Sequence, residues 1–288
     1  MTDEARWPTT PPSIDERKWL GFLLGKHPIR GITAPPLPDG AIQTQFVGSC
    51  GAEAFAEATT FCSKLRDAAR TYHDGLQAST KVLDFGMGWG RLYRVMLNHV
   101  SPTCLIGADI DPMCVELCTE AMPYGTFVQN AISAPLQFPD GALDIVYAYS
   151  VFSHLAPEVA HGWLVDFRRV LRSGGLVVFT TLKPAHLGVW RHQLSSGVPD
   201  FSTCLERVGF DHDAWSERAQ RGEALYLPIG GGDLRDSTFY GETVIAEPGA
   251  AKLAAESGLE MRVFEEGPDL PQSFVVFQRP EASSPGGA

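Results

Sequence analysis

The 288-residue chain lacks any apolar run that approaches the ~20 residues needed to cross a bilayer. A helical membrane protein is therefore not expected. Its opening, MTDEARWPTTPP, has no basic start followed by an apolar stretch, so no secretory leader is expected there. Positive charge is scarce: 23 Lys and Arg stand against 34 Asp and Glu, a formal charge of -11. Such a surface repels phosphate backbones and anionic membranes, so neither nucleic acid nor a membrane is the expected partner. Cysteine is sparse, six in all, with no CxxC pair. Cys114 and Cys118 are spaced to share a helical face, but no His pair accompanies them. No metal is expected, and the thiols are read as reduced core residues of a cytoplasmic protein. No internal repeat is present.

What is there is enough to fold. Apolar residues make up 44%, which builds a full core for one large α/β domain. Residues 1–45 are rich in Pro and Gly and read as an irregular arm with one short helix around Trp19–Leu24. From Ala52 to Tyr72, Phe55, Ala58, Thr59, Cys62, Leu65, Ala69 and Tyr72 recur at helical spacing. Beyond them strands (81–85, 104–109, 126–130, 143–149, 176–181) alternate with helices (92–100, 112–122, 157–171), and Ser173-Gly174-Gly175 stops the last helix. Such alternation means a parallel sheet covered on both faces. Residues 183–243 break the rhythm. Rich in aromatics, they read as an insert or lid that forms the acceptor region, with a small satellite core as the plainer reading. A helix over 250–257 then ends at Gly258, and strands follow at 261–264 and 273–278. Only eight residues, Glu265 to Gln272, join those strands. That is too short for a helical crossover, so the pair is expected to be antiparallel. The domain is read as 46–280, and 281–288 as a disordered tail.

The segment Val82-Leu83-Asp84-Phe85-Gly86-Met87-Gly88-Trp89-Gly90-Arg91 is a buried strand running into a turn with glycine at every second position. Glycine permits φ > 0 and lets a ligand approach the backbone closely. The helix that follows would favour a negative group at its first N–H groups. Asp109 ends the second strand, 25 residues after Asp84, where a carboxylate can accept two ribose hydroxyls. Asn130 ends the third, where an amide offers a donor and an acceptor to an adenine edge. A nicotinamide dinucleotide loop is the main alternative. It wants GxGxxG, whereas this chain has GxGxG and places Arg91 where the third glycine belongs. A tight turn with no ligand is the plainer one.

VLDFGMGWGRL resembles the first motif of class I S-adenosylmethionine-dependent methyltransferases, and LIGADIDP resembles their second. FPDGALDIVYAYSVFSHL and FRRVLRSGGLVVFTTL are similar to the segments around their fourth and fifth strands. The resemblance covers about residues 80–182, and more loosely 246–279. It implies an α/β, Rossmann-like, seven-stranded sheet of order 3-2-1-4-5-7-6, strand 7 antiparallel, with helices on both faces. It implies S-adenosyl-L-methionine as cofactor and S-adenosyl-L-homocysteine as product. By position, Asp84, Gly86, Gly88 and Gly90 surround the methionyl part, with Phe85 and Met87 of the same loop counted among the cofactor-binding residues. Asp109 holds the ribose with Ile110 beside the adenine, Asn130 and Ala131 flank the adenine, and Ser150 lies beneath the cofactor. Two departures stand out: Asn130 where many relatives carry Asp, and Met87 where a small residue or Cys is frequent. The Gln45-Phe46-Val47-Gly48 lead-in resembles bacterial relatives that methylate small molecules, which puts Phe46 over the cofactor.

Methyl transfer is an in-line displacement that disperses positive charge, so alignment and exclusion of water supply much of the catalysis. A hydroxyl or amine acceptor still has a proton to lose, and a general base is then useful. The loops after the fourth and fifth strands offer His154 and His186 as bases, with Tyr149, Trp190 and Tyr240 as acceptor contacts. The expected function is methyl transfer to O or N of a small natural-product or glycosyl acceptor. The alternatives are a non-catalytic subunit that keeps the fold and a nicotinamide-dependent oxidoreductase. The oligomeric state stays open, a homodimer included.

Overall fold

The computed structural model describes residues 7–281. The expected disordered tail lies outside them, apart from Glu281. The described residues form two compact units, 7–130 with Leu143–Tyr147, and Ala131–Ala142 with 148–281.

The first unit holds α1 (Glu16–Leu23), α2 (Gly40–Val47), α3 (Gly51–Tyr72), β1 (Val82–Phe85), α4 (Arg91–Met96), β2 (Leu105–Asp109), α5 (Pro112–Ala121), β3 (Thr126–Gln129) and β4 (Leu143–Ala148). β1 pairs in parallel with both β2 and β4, and β2 with β3. All four residues of β1 are buried, as expected of a central strand covered on both faces. The face of α3 expected from spacing is the buried one at Phe55, Ala58, Cys62, Leu65 and Ala69, while Thr59 and Tyr72 are half-buried and Phe61 joins the core. α5 starts as its sequence suggests, with Asp111 accepting from the Met113 N–H (3.0 Å) and Pro112 in the first turn.

Two local expectations need correction. The arm carries two helices, not one, and it is anchored. Asp15 caps α1, Trp19 is buried with its Nε1–H donating to the Arg94 carbonyl (3.0 Å), and Asn98 bonds both backbone groups of Ile14. Proline density suggested irregularity, but buried aromatics decide the packing. α4 is also shorter than expected. Its helix ends at Met96, and the remaining residues to Val100 turn through Asn98 N–H and His99 N–H bonds to carbonyls three residues back.

The second unit holds α6 (Pro157–Val170), β5 (Leu171–Thr181), α7 (His186–Ser195), α8 (Phe201–Arg207), α9 (His212–Gln220), β6 (Leu225–Leu227), β7 (Glu242–Val244), α10 (Glu247–Glu256), β8 (Glu260–Glu265) and β9 (Ser273–Gln278). β9 is buried throughout and pairs antiparallel with both β5 and β8. The short link therefore makes the antiparallel pair expected of it. β5 begins at Leu171, straight after α6 and five residues earlier than expected. The chain passes through Gly174 at φ 75°, whose N–H donates to the Arg279 carbonyl (3.0 Å). The aromatic insert is a satellite core of three helices and the β6–β7 pair, built around Trp190, Leu205, Phe210, Trp215 and Leu225. The strand order of the seven-stranded sheet is β3-β2-β1-β4-β5-β9-β8, the order that the resemblance implies.

Asp166 on α6 is 5% exposed. It accepts from the Leu136 N–H (2.7 Å) and from Arg169 Nε (2.7 Å), and Arg169 reaches the carbonyls of Leu136 and Phe138. These bonds fold residues 131–142 onto α6. Asp166→Ala strands a buried N–H and releases the Arg169 fork. It is expected to cost about 1–3 kcal/mol, read as a lower urea midpoint at unchanged slope.

Candidate active site

The glycine loop is a tight backbone device. The N–H groups of Gly86 and Met87 both donate to the Ala108 carbonyl (2.8 and 3.1 Å), which curls the loop over the end of β2. Gly86, Gly88 and Gly90 all have positive φ, 74°, 54° and 76°, a region costly for side chains. Their reasons differ. A Cβ on Gly90 would lie within 3.0 Å of Arg94, Cys118 and Met122 side chains, so packing excludes it. A Cβ on Gly88 would meet only Phe46, at 3.7 Å, so that glycine leaves open surface beneath a half-buried aromatic ring. Met87 turns the other way, where its sulfur leaves no room for a Cβ on Gly107, and it is buried with Phe85.

Asp109 closes the loop. Its Oδ2 accepts from the Gly88 N–H (2.8 Å) and its Oδ1 from the Asp111 N–H (2.9 Å). A carboxylate has acceptor positions beyond these two amides. Ile110 is half-buried beside it, with its carbonyl bonded by Gln129 Nε2 (3.1 Å), and the Asn130 N–H donates to the Asp109 carbonyl (3.0 Å). The second-strand and third-strand candidates are thus brought together with the loop.

Asp84 is 2% exposed, and its Oδ2 has no hydrogen-bond partner among the described residues. Burial pushes its carboxyl up to about 8. The hydroxyl of Tyr147, its cross-strand neighbour, and the Arg91 guanidinium offset this only in part, and the Asp109 charge adds to it. Nothing in the one-dimensional pattern pointed to Tyr147, because the strand pairing alone makes it a neighbour.

The second unit carries the remaining candidates. Ala131 is exposed. Ser150 takes a positive φ of 57°, held by its N–H donating to Thr180 Oγ1 (2.8 Å) and by Gln272 Nε2 donating to its Oγ (2.9 Å). Tyr149 is largely buried. Residues 239–243 run alongside 153–156. The Gly241 N–H donates to the His154 carbonyl (2.8 Å) and the Thr243 N–H to the Ser153 carbonyl (2.8 Å). His154 Nδ1 lies 2.8 Å from the Gly241 carbonyl. A carbonyl only accepts, so Nδ1 carries the proton and Nε2 has the lone pair. Burial holds this imidazole below the usual histidine range, with the Gly241 bond opposing. Its ring stacks on Tyr240, centroids 4.9 Å apart and 7° from parallel. Trp190, expected at the acceptor, has no exposed surface and belongs to the satellite core. Its Nε1–H donates to Glu242 Oε2, the same oxygen that lies 3.2 Å from His186 Nε2. Glu242 and Gln272 were not anticipated. Each sits far along the chain from its partners, in a segment without a recognisable motif.

Residues 82–175 match the family of methyltransferase domains. A relative, the malonyl-[acyl-carrier protein] O-methyltransferase of Paenibacillus sp. (strain JDR-2), is 26% identical over 163 residues, covering 51% of this chain. The chain thus matches 56% of the length of that relative. Among solved structures, a putative sarcosine dimethylglycine methyltransferase from Galdieria sulphuraria aligns with a TM-score of 0.51 at 15% identity, covering 82% of this chain and 89% of that one. At that identity the likeness is one of fold. Magnesium protoporphyrin IX methyltransferase from Synechocystis PCC 6803, solved with bound S-adenosylhomocysteine, aligns at 0.49 with 14% identity over 78% and 84% of the two chains.

S-adenosylmethionine, the cofactor expected of a methyltransferase domain over residues 82–175, suits the residues present. The loop has a bare backbone at Gly88, an aromatic ring at Phe46 and a carboxylate at Asp109. Among the described residues no cluster of His, Cys, Asp and Glu is arranged to hold a metal, and no helix is long and apolar enough to cross a membrane.

The state of Asp84 has a pH signature. Its folded carboxyl titrates near 8, while an unfolded one titrates near 4. The folded chain therefore holds a proton that the unfolded chain releases, and stability from this group falls as pH rises from about 4 to about 8. Asp84→Asn is expected to flatten that decline in urea titrations between pH 5 and 9. An equal decline in the variant would show that another group causes it.

Proposed function

We propose that the protein transfers a methyl group from S-adenosylmethionine to an oxygen or nitrogen of a small-molecule acceptor, of natural-product or glycosyl type. The observation that carries the reading is the bond from the Gly88 N–H to Asp109, which joins a bare, positive-φ glycine loop to the carboxylate ending β2. In this reading Gly86 and Gly88 lie along the methionyl part, and Asp109 takes the ribose hydroxyls. Ile110, Asn130 and Ala131 border the adenine, Phe46 covers the loop, and Ser150 lies below the donor. Asp84 supplies negative charge once ionised, and a cationic donor favours that ionised form.

When bound, the donor supplies an electrophilic methyl carbon on a sulfonium. The protein's residues then have two tasks, to align the acceptor and to take its proton. His154 and His186 are the candidate bases of the second unit, and Tyr149 and Tyr240 the aromatic surfaces for an acceptor. Trp190 contributes by buttressing Glu242 from within the insert. The Paenibacillus relative is an O-methyltransferase, which favours oxygen over nitrogen. The charge of -11 favours a small acceptor over nucleic acid, and the free cysteines suit a cytoplasmic place of work.

Titration calorimetry with S-adenosylhomocysteine tests the donor assignment. Wild-type protein is expected to bind it, and Asp109→Ala to weaken binding at least about tenfold, the loss of one or more charge-assisted hydrogen bonds. Undiminished affinity in the variant would remove Asp109 from the ribose. Retention of a nicotinamide dinucleotide in place of the adenosyl ligand would overturn the reading.

A further inference from the structure

Glu242 begins β7, a three-residue strand whose partner is β6, and it is half-buried. Burial pushes its carboxyl up, but the donors from His186 and Trp190, with the nearby charges of His186 and His154, outweigh that and hold it ionised, below the usual range. A carboxylate accepts and cannot donate, so the 3.2 Å contact requires the His186 proton on Nε2. The lone pair of neutral His186 is then on Nδ1, which no described residue engages. Trp190 pins Glu242 from the other side. Its ring lies edge-on to His186, with centroids 5.9 Å apart and planes 89° from parallel. A fixed tautomer, a rigid carboxylate and an open lone pair are what a general base requires. The other candidate base, His154, has a carbonyl and not a carboxylate as its ring partner, and burial disfavours its charged form.

We propose that Glu242 and His186 form the proton-accepting dyad of this enzyme, and that its acceptor is a neutral hydroxyl rather than a carboxylate. Glu242 is the positioning residue. His186 Nδ1 takes the hydroxyl proton as the oxygen–methyl bond forms and the sulfur–methyl bond breaks. The products are a methyl ether and S-adenosylhomocysteine, with the proton left on an imidazolium that Glu242 stabilises. A carboxylate acceptor is already ionised and needs no base, and an ionised Glu242 beside the base would repel it. This assignment rests on the methyl-transfer reading above. The charged and titratable groups that bear on the dyad are Glu242 on β7, His154 ahead of α6, and Arg235, whose guanidinium lies 5.9 Å over Tyr240 and acts on His154.

The first test needs no acceptor. Long-range proton–nitrogen NMR of the full chain labelled in histidine, with His186→Asn to assign the signal, reads the tautomer of neutral His186. An Nε2–H tautomer is expected, and a mixture of tautomers in Glu242→Gln, whose amide can meet either form of the ring. An Nδ1–H tautomer, or an Nε2–H tautomer equally fixed in Glu242→Gln at unaltered melting temperature, would overturn the dyad. The second test offers radiolabelled S-adenosylmethionine with phenols, sugar alcohols and carboxylic acids. Methylation of hydroxyls is expected, about 100-fold slower in His186→Asn and slower also in Glu242→Gln, with S-adenosylhomocysteine affinity unchanged in both. Transfer to carboxylates alone, or to no hydroxyl by protein that binds S-adenosylhomocysteine, would overturn the acceptor class. Loss of S-adenosylhomocysteine binding in the wild type would instead defeat the methyl-donor reading, while the tautomer measurement still decided the dyad.

Discussion

The bond from the Gly88 N–H to the Asp109 carboxylate organises the first unit. It ties the turn after β1 to the end of β2 across parallel strands whose register already places Phe85 beside Ala108. The loop can curl this way only with positive φ at three glycines, and the curl sets where α4 begins. It also sorts the side chains of the loop. Met87 and Trp89 go into the core, while the backbone at Gly88 stays bare beneath Phe46. A cofactor site made this way is mostly backbone, so its shape depends on strand register more than on side-chain identity.

Two enclosed carboxylates show how neighbours decide charge. Asp84 lies where burial dominates and one of its oxygens has no partner among the described residues, so it is driven toward the neutral form. Glu242 is also penalised by burial, yet two donors converge on one oxygen and keep it ionised. The first behaves as a latent charge that a cationic ligand can draw out. The second is a standing charge that fixes the tautomer of His186. The same chemical group serves opposite ends because desolvation and hydrogen bonding compete on a scale of several kcal/mol.

Much of the fold was legible before any coordinates. The alternation of apolar runs and amphipathic stretches located every strand of the large sheet to within a few residues, except that β5 starts earlier. The eight-residue link between Glu265 and Gln272 required the antiparallel pair that is seen. Helix lengths were less legible. Asn98 and His99 continue a helical apolar pattern, yet they turn because Asn98 is engaged with Ile14 of the arm. The arm itself looked irregular, since proline density is local whereas the burial of Trp19 is tertiary.

For the candidate site, the sequence by itself located the glycine loop, Asp84 and Asp109 at strand ends, because strand ends follow from periodicity, and the resemblance of those motifs to known ones implied the methyl donor. Tertiary structure decided the rest. It placed Tyr147 against Asp84 through strand pairing, turned Trp190 into the buttress of a core, and laid residues 239–243 along 153–156. That last pairing spans nearly ninety residues and is made of backbone hydrogen bonds, which leave no trace in side-chain pattern. It brings Gly241 to His154, and the fold of the insert brings Glu242 to His186. Spacing in the chain encodes local geometry, whereas a base and its carboxylate meet only when long-range pairing brings them together.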